Sequence, residues 1–238
     1  MISKDADISC FNCQTRKVSE WCCLTSAELR LVDSVKISHA YKPGEIIYHQ
    51  GDPCEGVFCL ESGLVGIRRL DEKGNSTLLR LINAGQTVGY RAFLRRAPHD
   101  SSAEVLMPSR ICHINRSTVR SLLETNPTLG LSFLDHSLED LAHTENQYME
   151  STTCTVKTRL LHALLVLYER FGFESEEGEY WVELPISRQD LAGLIGTAPE
   201  TMSRMIQRIQ MEGLAEFDGR TVRIRDINTV CRTLAISS

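Results

Sequence analysis

The chain has 238 residues and a formal net charge of −5. This length suits two ordinary domains, and 42% apolar with 24% charged residues is typical of a globular protein and excludes general disorder. No apolar run reaches the length of a membrane span, and the first 30 residues lack the apolar segment of a secretory signal. We therefore expect a cytoplasmic bacterial protein with no membrane partner, in which any nucleic-acid site is a local patch.

Residues 1–25 form a polar leader that carries four of the nine cysteines. Disulfides are rare in a reducing cytosol, so this clustering favours a metal or cluster site over a disulfide framework. Cys10-Phe11-Asn12-Cys13 supplies a C-x-x-C pair, and Cys22 follows after eight residues with Cys23 directly behind it. A C-x-x-C pair alone is a weak signal, which a third nearby cysteine strengthens.

Residues 26–125 have the pattern of a small sensor domain. A short helix capped by Thr25 or Ser26 is predicted over residues 26–35. Short apolar runs then alternate with glycine turns, Gly63 among them, and Lys73-Gly74-Asn75 lies between two strand-like runs as a hairpin turn does. This texture indicates a β-barrel or β-roll whose last strand, 103–114, contains Cys112.

Two further cysteines in this domain are given ordinary interpretations. Cys54 falls in a predicted turn, where solvent exposure is expected, and it is interpreted as a bystander, with a reactive thiol as the alternative. Cys59 falls in a strand-like run and is interpreted as a small packing residue. The same interpretation is given to Cys154 and Cys231 near the other end of the chain.

A long helix is predicted over residues 126–151. Leucines recur at spacings of three and four and form a narrow apolar seam suited to pairing with a second helix. These leucines are Leu131, Leu134, Leu138 and Leu141. Asp135, Glu139 and Asp140 flank the seam, and their like-charge repulsion is one hypothesis for keeping unpaired subunits apart.

Residues 152–238 are predicted to form a winged helix-turn-helix domain, with the domain boundary near 151–155 and an apolar helix over 156–171 followed by a solvated loop over 172–180. Ser187-Arg188-Gln189-Asp190 is typical of a capping box at the start of a short helix. A turn at 196–198 leads into a second helix that begins at Pro199 and is closed by Gly213.

This second helix has a polar face suited to reading bases. Glu200, Ser203, Arg204 and Gln207 recur at i, i+3, i+4 and i+7. Arginine can bond guanine O6 and N7 with two hydrogen bonds, and glutamate can accept from cytosine N4. The same residues also suit an ordinary solvent-exposed face. The helix pair nevertheless has the form of a helix-turn-helix with a recognition helix.

The stretch after this helix is predicted to form a hairpin wing. Its strands are 215–217 and 222–224, joined by a type I′-like turn at Asp218-Gly219. Arg220, Arg223 and Arg225 on the wing are candidate phosphate contacts, although plain solvated charge explains each of them as well.

Over nearly its whole length the sequence resembles the CRP/FNR family of bacterial transcription regulators, which includes the cAMP-receptor proteins. Lys42-Pro43-Gly44-Glu45, Gly51-Asp52 and Gly63 fall where that family places its β-roll turns, and Glu200-Thr201-Met202-Ser203-Arg204 is similar to the recognition helix of the FNR subgroup. The resemblance implies an α+β fold with a β-roll, a long dimerisation helix and a winged helix-turn-helix.

The resemblance also implies partners and a target. It points to a homodimer that reads a TTGAT-type palindrome in double-stranded DNA and acts with RNA polymerase. Glu200, Ser203, Arg204 and Gln207 are the expected reading residues, with Ser187 and Arg220 as further DNA contacts. No nucleophile–base pattern, P-loop or dinucleotide fingerprint is present, so no enzyme activity is expected.

Cyclic AMP is not the expected ligand. Family members that bind it hold its phosphate with a Gly-Glu pair and, about ten residues later, an Arg-Ser or Arg-Ala pair. Here the glutamate position is Tyr90, and the arginine position is Asp100 or Ser101. A neutral or acidic residue there cannot neutralise a phosphate.

The expected cofactor is a 4Fe-4S cluster. FNR-type sensors bind an oxygen-labile cluster with three leader cysteines and one from the strand before the dimerisation helix. This implies Cys10, Cys13, Cys22 and Cys112 as ligands, with Cys23 as the alternative to Cys22. His113, adjacent to Cys112, is expected on the opposite strand face.

The departure from the family is the gap between Cys13 and Cys22, which is wider than in the best-known members. Other sensing chemistries remain open: a four-thiolate zinc site, a thiol redox switch, a haem that senses nitric oxide, or no cofactor. A ligand-binding module without DNA binding is the alternative of a different class.

Overall fold

The computed structural model describes residues 8–176 and 178–237. The first seven residues of the predicted leader and residue 238 of the predicted C-terminal domain lie outside these residues. The chain divides into two compact units, the first ending at Leu141 and the second beginning at Ala142. None of the helices in the described residues combines the length and apolarity that crossing a membrane requires.

The helical elements of the first unit include the predicted ones. Two short 3₁₀ turns, Thr15–Val18 and Glu20–Cys23, lie in the leader. The α-helices are α1 (Ser26–Val35), α2 (Tyr90–Arg95), α3 (Arg116–Thr125) and α4 (Pro127–Thr153), the last of which continues past Leu141. Helix α1 begins where the sequence predicts, because the Thr25 hydroxyl accepts from the Glu28 N–H while the Glu28 carboxylate accepts from the Thr25 N–H.

A six-stranded antiparallel sheet forms the β-roll of the first unit. Its strands are β1 (Ile37–Tyr41), β2 (Ile46–Tyr48), β3 (Gly56–Leu70), β4 (Ser76–Asn83), β5 (Thr87–Val88) and β6 (Ser102–Asn115). The order is β1-β6-β3-β4, with β2 paired to β6 and β5 paired to β3. The predicted hairpin at 73–75 is confirmed, since Leu70 pairs with Ser76 across it.

The prediction of a turn at Gly63 is wrong. Gly63 lies inside the single 15-residue strand β3, at a shift of register against β6. Its φ is 99°, and a Cβ there would lie 2.1 Å from the Ser109 hydroxyl oxygen. The glycine is therefore required for a bulge that bends one long strand, and two apolar runs that read as separate strands belong to the same one.

The second unit joins helices to a four-stranded antiparallel sheet of order β7-β8-β10-β9. The elements are α5 (Val156–Phe171), β7 (Gly172–Glu174), β8 (Tyr180–Glu183), α6 (Arg188–Leu194), α7 (Pro199–Met211), β9 (Ala215–Asp218), β10 (Thr221–Ile224) and α8 (Ile227–Ser237). The predicted 172–180 loop thus contains a short strand. The wing turn also differs from the prediction: its central residues are Gly219 and Arg220, and of these only Gly219 has positive φ, at 59°. This is the pattern of a type II′ turn rather than a type I′ turn.

Candidate cysteine cavity and nucleic-acid interface

Four thiols from three separate segments line one cavity of about 50 Å³ in the first unit. They are Cys10, Cys13, Cys59 and Cys112. The remaining walls are largely apolar, with Trp21, Leu29, Val32 and Ile114 among them. Of the site residues predicted for the cofactor, the structure therefore brings Cys10, Cys13 and Cys112 together, and it adds Cys59, which the sequence reading treats as packing.

The leader cysteines are held against α1. The Cys10 N–H donates to Asp33 Oδ1 at 2.7 Å, and the Ser9 hydroxyl donates to Asp33 Oδ2 at 2.7 Å. Arg16 Nε donates to the Cys10 carbonyl at 2.9 Å. Because Asp33 lies on α1, a stable helix fixes where the C-x-x-C pair starts.

The two sheet cysteines face each other. Cys59 of β3 is the direct partner of Cys112 in β6. Directly opposed residues on an antiparallel pair project from the same face, with Cβ atoms about 5 Å apart. His113, one residue on, lies against the Phe58 ring with centroids 4.7 Å apart and does not line the cavity.

Three of the cavity thiols, those of Cys10, Cys59 and Cys112, have a raised pKa and are therefore held in the neutral form. Burial raises the pKa of Cys10 to about 12, although the Lys36 ammonium opposes that rise. Burial also raises the pKa of Cys59 and of Cys112. The Lys36 side chain is only 2% exposed and donates to the Ile8 carbonyl at 2.9 Å. The Lys36 ammonium also lies 3.8 Å from Asp33 Oδ1, and Glu61 lines the same cavity, so the site carries charges of both signs. Ligation of a metal here would displace the thiol protons.

The other two leader cysteines do not line the cavity. Cys22 is exposed. Cys23 is half-buried, and its thiol donates to the Glu20 carbonyl at 3.4 Å. Within the described part of the chain, no three Cys, His, Asp or Glu side chains are grouped closely enough to hold one metal ion as they stand.

The leader also contacts the long helix. The Trp21 ring meets the Phe133 ring edge to face, with centroids 5.5 Å apart, and Glu20 pairs with His136. Thr87 links the same segment to the sheet, because its hydroxyl accepts from Trp21 Nε1 at 2.9 Å and lies 2.9 Å from Glu20 Oε2. Glu20 and Trp21 are both buried.

The outer face of α4 carries an uncovered apolar seam. The four predicted leucines, Leu131, Leu134, Leu138 and Leu141, are 51% to 59% exposed. The hypothesis that Asp140 repels like charges beside this seam is wrong, since Asp140 is bound to Arg80 and Tyr90 in its own unit. Asp135 and Glu139 remain exposed.

Helix α7 presents the predicted polar face. Glu200, Ser203, Arg204 and Gln207 are all exposed, while Met202, Ile206 and Ile209 are buried beneath them. The helix begins at Pro199, whose missing N–H costs nothing at that position. The Ser203 hydroxyl donates to the Pro199 carbonyl at 3.0 Å, one turn back in its own helix.

The other predicted DNA contacts, Ser187 and the wing arginines, lie outside α7. Ser187 is the N-cap of α6, and its hydroxyl accepts from the Asp190 N–H at 3.1 Å. Arg220 is exposed at the tip of the wing. Arg223 and Arg225 both pair with Glu216, so these two side chains are committed to the wing itself.

Comparison with known proteins assigns both halves of the chain. A cyclic nucleotide-binding domain is matched over residues 38–126, and a Crp-like helix-turn-helix domain over residues 158–233. The chain belongs to the CRP/FNR family of transcription regulators. It is accordingly a DNA-binding transcription regulator and not an enzyme.

Relatives of this CRP/FNR regulator are distant but collinear with it. It is 26% identical to electron transport regulator A of Shewanella oneidensis, over 92% of this chain and 87% of that protein. It is 25% identical to the transcriptional activator protein anr of Pseudomonas aeruginosa, over 92% and 91%. A CRP/FNR-family regulator of Thermus thermophilus has the same fold, with a TM-score of 0.69 at 22% identity, over 85% of this chain and all of that one.

A second cavity of this CRP/FNR regulator, of about 30 Å³, lies in the β-roll and is lined by side chains that contact one another. Tyr48 and His99 stack with ring centroids 3.7 Å apart. Tyr90, at the position where cAMP-binding members carry glutamate, is 2% exposed and bound to Asp140 of α4. Arg80 in the same pocket pairs with that carboxylate as well.

One cysteine of the β-roll is placed differently from its prediction. Cys54, expected to be exposed in a turn, is 5% exposed. Its thiol donates to the Gly56 carbonyl at 3.3 Å. The turn is therefore packed onto the domain core, where cysteine behaves as a small hydrophobe.

Proposed function

We propose that this regulator is controlled by an oxygen- or redox-sensitive iron–sulfur cluster, most simply a 4Fe-4S cluster, held in the cysteine cavity. The observation that carries the proposal is that leader thiols Cys10 and Cys13 meet Cys112, about a hundred residues away, in one cavity. The names of similar proteins agree with an oxygen-linked signal, since they include a transcriptional activator protein FnrA and an anaerobic regulatory protein.

The residues of the cavity fit such a group. Iron–sulfur clusters are held by cysteine thiolates, and their properties depend on net charge, hydrogen bonds and solvent exposure. The cavity supplies thiols, apolar walls and the buried Lys36 ammonium that offsets thiolate charge. When bound, the cluster supplies a centre that oxygen or an oxidant can degrade. Cys22, with Cys23 as the alternative, is the third leader ligand that the family resemblance implies.

The chain's own contacts couple the cavity to the dimerisation helix. The leader that carries Cys10 and Cys13 continues into Glu20 and Trp21, which contact His136 and Phe133 on α4. The opposite side of α4 carries the exposed leucines. Ordering of the leader in the cavity therefore favours one position of α4 and one packing of the seam against a partner subunit. Such coupling requires the cluster to bind more tightly to the protein with one packing of the seam than to the protein with another packing or to the single subunit.

DNA recognition follows from the exposed face of α7. In a homodimer, two such helices enter successive major grooves and read a palindrome. We propose that Glu200, Ser203, Arg204 and Gln207 read a TTGAT-type half-site, with Ser187 and Arg220 at the phosphate backbone. Contact with RNA polymerase and a cytoplasmic location complete the proposal. Cyclic AMP is not proposed as the signal, because Tyr90 stands at the glutamate position and Asp100 or Ser101 at the arginine position.

The test is anaerobic purification with iron and sulfide analysis, a visible spectrum, and binding to a duplex of TTGAT and its inverted repeat. The expected result is broad visible absorption, matched iron and sulfide, and tighter DNA binding before exposure to air than after it. A sharp Soret band would identify haem instead. Colourless, iron-poor protein that still binds the duplex tightly would overturn the sensing proposal and leave the DNA-reading one.

A second candidate is a thiol switch, which the direct pairing of Cys59 with Cys112 favours. Two thiols would form one S–S bond and pass two electrons and two protons to a peroxide or disulfide oxidant. Treatment of metal-free protein with either oxidant tests this candidate. A Cys59–Cys112 disulfide in the peptide map, together with altered DNA affinity, supports it, whereas two free thiols exclude it.

A further inference from the structure

The fourth thiol of the cavity comes from the sheet and not from the leader. Cys59 lies in the middle of β3, opposite Cys112, and lines the same cavity as Cys10 and Cys13. Nothing in its sequence neighbourhood marks it, since Val57–Leu60 is an ordinary strand run. Only the strand register brings it next to Cys112.

Cys22 is held away from the cavity by its neighbours. It belongs to the short turn Glu20–Cys23, in which Glu20 and Trp21 are buried and Cys22 is exposed. Trp21 is fixed by its hydrogen bond to Thr87 and its ring contact with Phe133. Turning Cys22 inward requires that this whole turn be released from its contacts. The thiol of Cys23 is likewise committed, to the Glu20 carbonyl.

We infer, on the basis of the proposed cluster function, that Cys59 rather than Cys22 or Cys23 supplies the fourth thiolate, so that the ligands are Cys10, Cys13, Cys59 and Cys112. Cys10 and Cys13 belong to the leader, whereas Cys59 and Cys112 are directly paired residues on two neighbouring strands of the sheet. The sheet pair supplies a fixed half-site, and the C-x-x-C pair closes it. Ligands carried by strands are positioned better than ligands on loops.

This assignment also shortens the connection to α4. The Thr87 hydroxyl lies 3.9 Å from Cys59 Sγ and 2.9 Å from Glu20 Oε2, and Glu20 pairs with His136 on α4. A ligand at Cys59 is therefore one hydroxyl away from the contacts between leader and helix. The side chain of Cys22 is exposed to solvent, so a ligand there would reach the same contacts only through the backbone of its own turn, Glu20–Cys23.

Single replacements by serine test the assignment, with the full-length chain reconstituted anaerobically with iron and sulfide. Cys59→Ser is expected to lose most of its iron, sulfide and visible absorption, while Cys22→Ser and Cys23→Ser retain them. Cys231→Ser, an exposed cysteine of the second unit, is the matched control. Circular dichroism and melting curves of the metal-free variants establish that Cys59→Ser is folded.

A second measurement uses the unsubstituted chain. Alkylation of the metal-free protein under native conditions is expected to modify the two exposed cysteines, Cys22 and Cys231, first, as peptide mass analysis will show, and the modified protein is expected to load normally. Loss of the cluster after modification or substitution of Cys22, or its retention in Cys59→Ser, would overturn the assignment but leave the cluster function intact. An unsubstituted chain that takes up no iron and sulfide would instead overturn both.

Discussion

The recognition helix and the cysteine cavity place their candidate functional groups in opposite surroundings. On α7 the polar residues Glu200, Arg204 and Gln207 are exposed, and helical periodicity alone places them on one face. In the cavity the thiols are half-buried and drawn from the leader, β3 and β6. A site built on one helix can be read from a short stretch of sequence, whereas a site built from distant segments depends on strand register.

The largest effect is expected from loss of Cys112, the cavity cysteine that lies about a hundred residues from the leader cysteines in the sequence. Cys112→Ser removes a sheet thiol, and we expect the anaerobically prepared variant to lose most of its iron and sulfide together with the air sensitivity of its DNA binding. Cys154→Ser, in the second unit, is the control and should load fully. Iron and sulfide analysis measures the effect. If Cys112→Ser bound as much iron and sulfide as the unsubstituted chain, the cavity would not be the sensing site.

The next effect concerns the leucine seam. Leu134 is 51% exposed, so covering the rest of its side chain at a symmetric interface contributes about half of the roughly 1.5–3 kcal/mol of full burial from each subunit. Leu134→Asp is therefore expected to weaken dimerisation by roughly 10- to 100-fold, as measured by anaerobic sedimentation. Leu94→Asp is the matched control, since Leu94 is 43% exposed on α2, away from the seam. Equal weakening by both variants would mean that the seam is ordinary surface.

Arg204→Ala tests base reading by the exposed helix. Loss of one bidentate arginine–guanine contact costs about 1–3 kcal/mol, so we expect roughly 10- to 100-fold weaker binding for each half-site and relaxed preference at one base pair. Arg208→Ala is the control, because Arg208 lies on the same helix and is bonded to Glu212 at 3.0 Å. Anisotropy titrations with single-base variants of the duplex measure both. An unchanged base preference in Arg204→Ala would assign that arginine to the phosphates.

Arg220→Ala sharpens the distinction between reading and positioning. Arg220 is at the tip of the wing, whereas Arg223 and Arg225 are paired with Glu216. We expect uniformly weaker binding to all duplexes, with a salt dependence reduced by about one phosphate contact per half-site. Titrations at several salt concentrations check this. A sequence-dependent loss would place Arg220 at a base instead.

The smallest effect concerns the contact between the second cavity and α4. Burial raises the pKa of Asp140, but hydrogen bonds from Arg80 and Tyr90 outweigh it and hold the pKa below the usual range. The stabilisation is therefore present above the unfolded pKa of this carboxyl group and is lost as the pH falls through the folded pKa, which lies below it. Melting curves should show a shallower acid loss for Asp140→Asn than for the unsubstituted chain. Parallel curves would mean that Asp140 contributes nothing to stability.

Sequence predicts best where the signal is local. The cap of α1 at Thr25, the long helix and the polar face of α7 all follow from residues within a few positions of each other, and the structure confirms them. The CRP/FNR resemblance rests on the same local motifs. The pairing of β7 with β8 and the final helix α8 were missed, because short edge strands and terminal helices carry weak periodic signals.

The failures share a long-range cause. Gly63 reads as a turn because glycine often ends a strand, yet here it lets β3 pass close to Ser109. Asp140 reads as a flanking charge of the seam, yet it turns inward to residues 50 and 60 positions away. Cys59 reads as packing because its partner lies on another strand. Cys59 could be found from sequence by asking which cysteines become cross-strand neighbours when the strands of the predicted β-roll are paired.

The four exposed leucines of α4 have a consequence for gene dosage. If the operator is bridged only by paired subunits, the population able to bind it grows with the square of the protein's amount while most copies are single, so a doubling of synthesis raises it about fourfold. A modest change in expression then acts like a strong stimulus. Under the proposed function, the number of copies of the protein would be a second control beside the chemical signal.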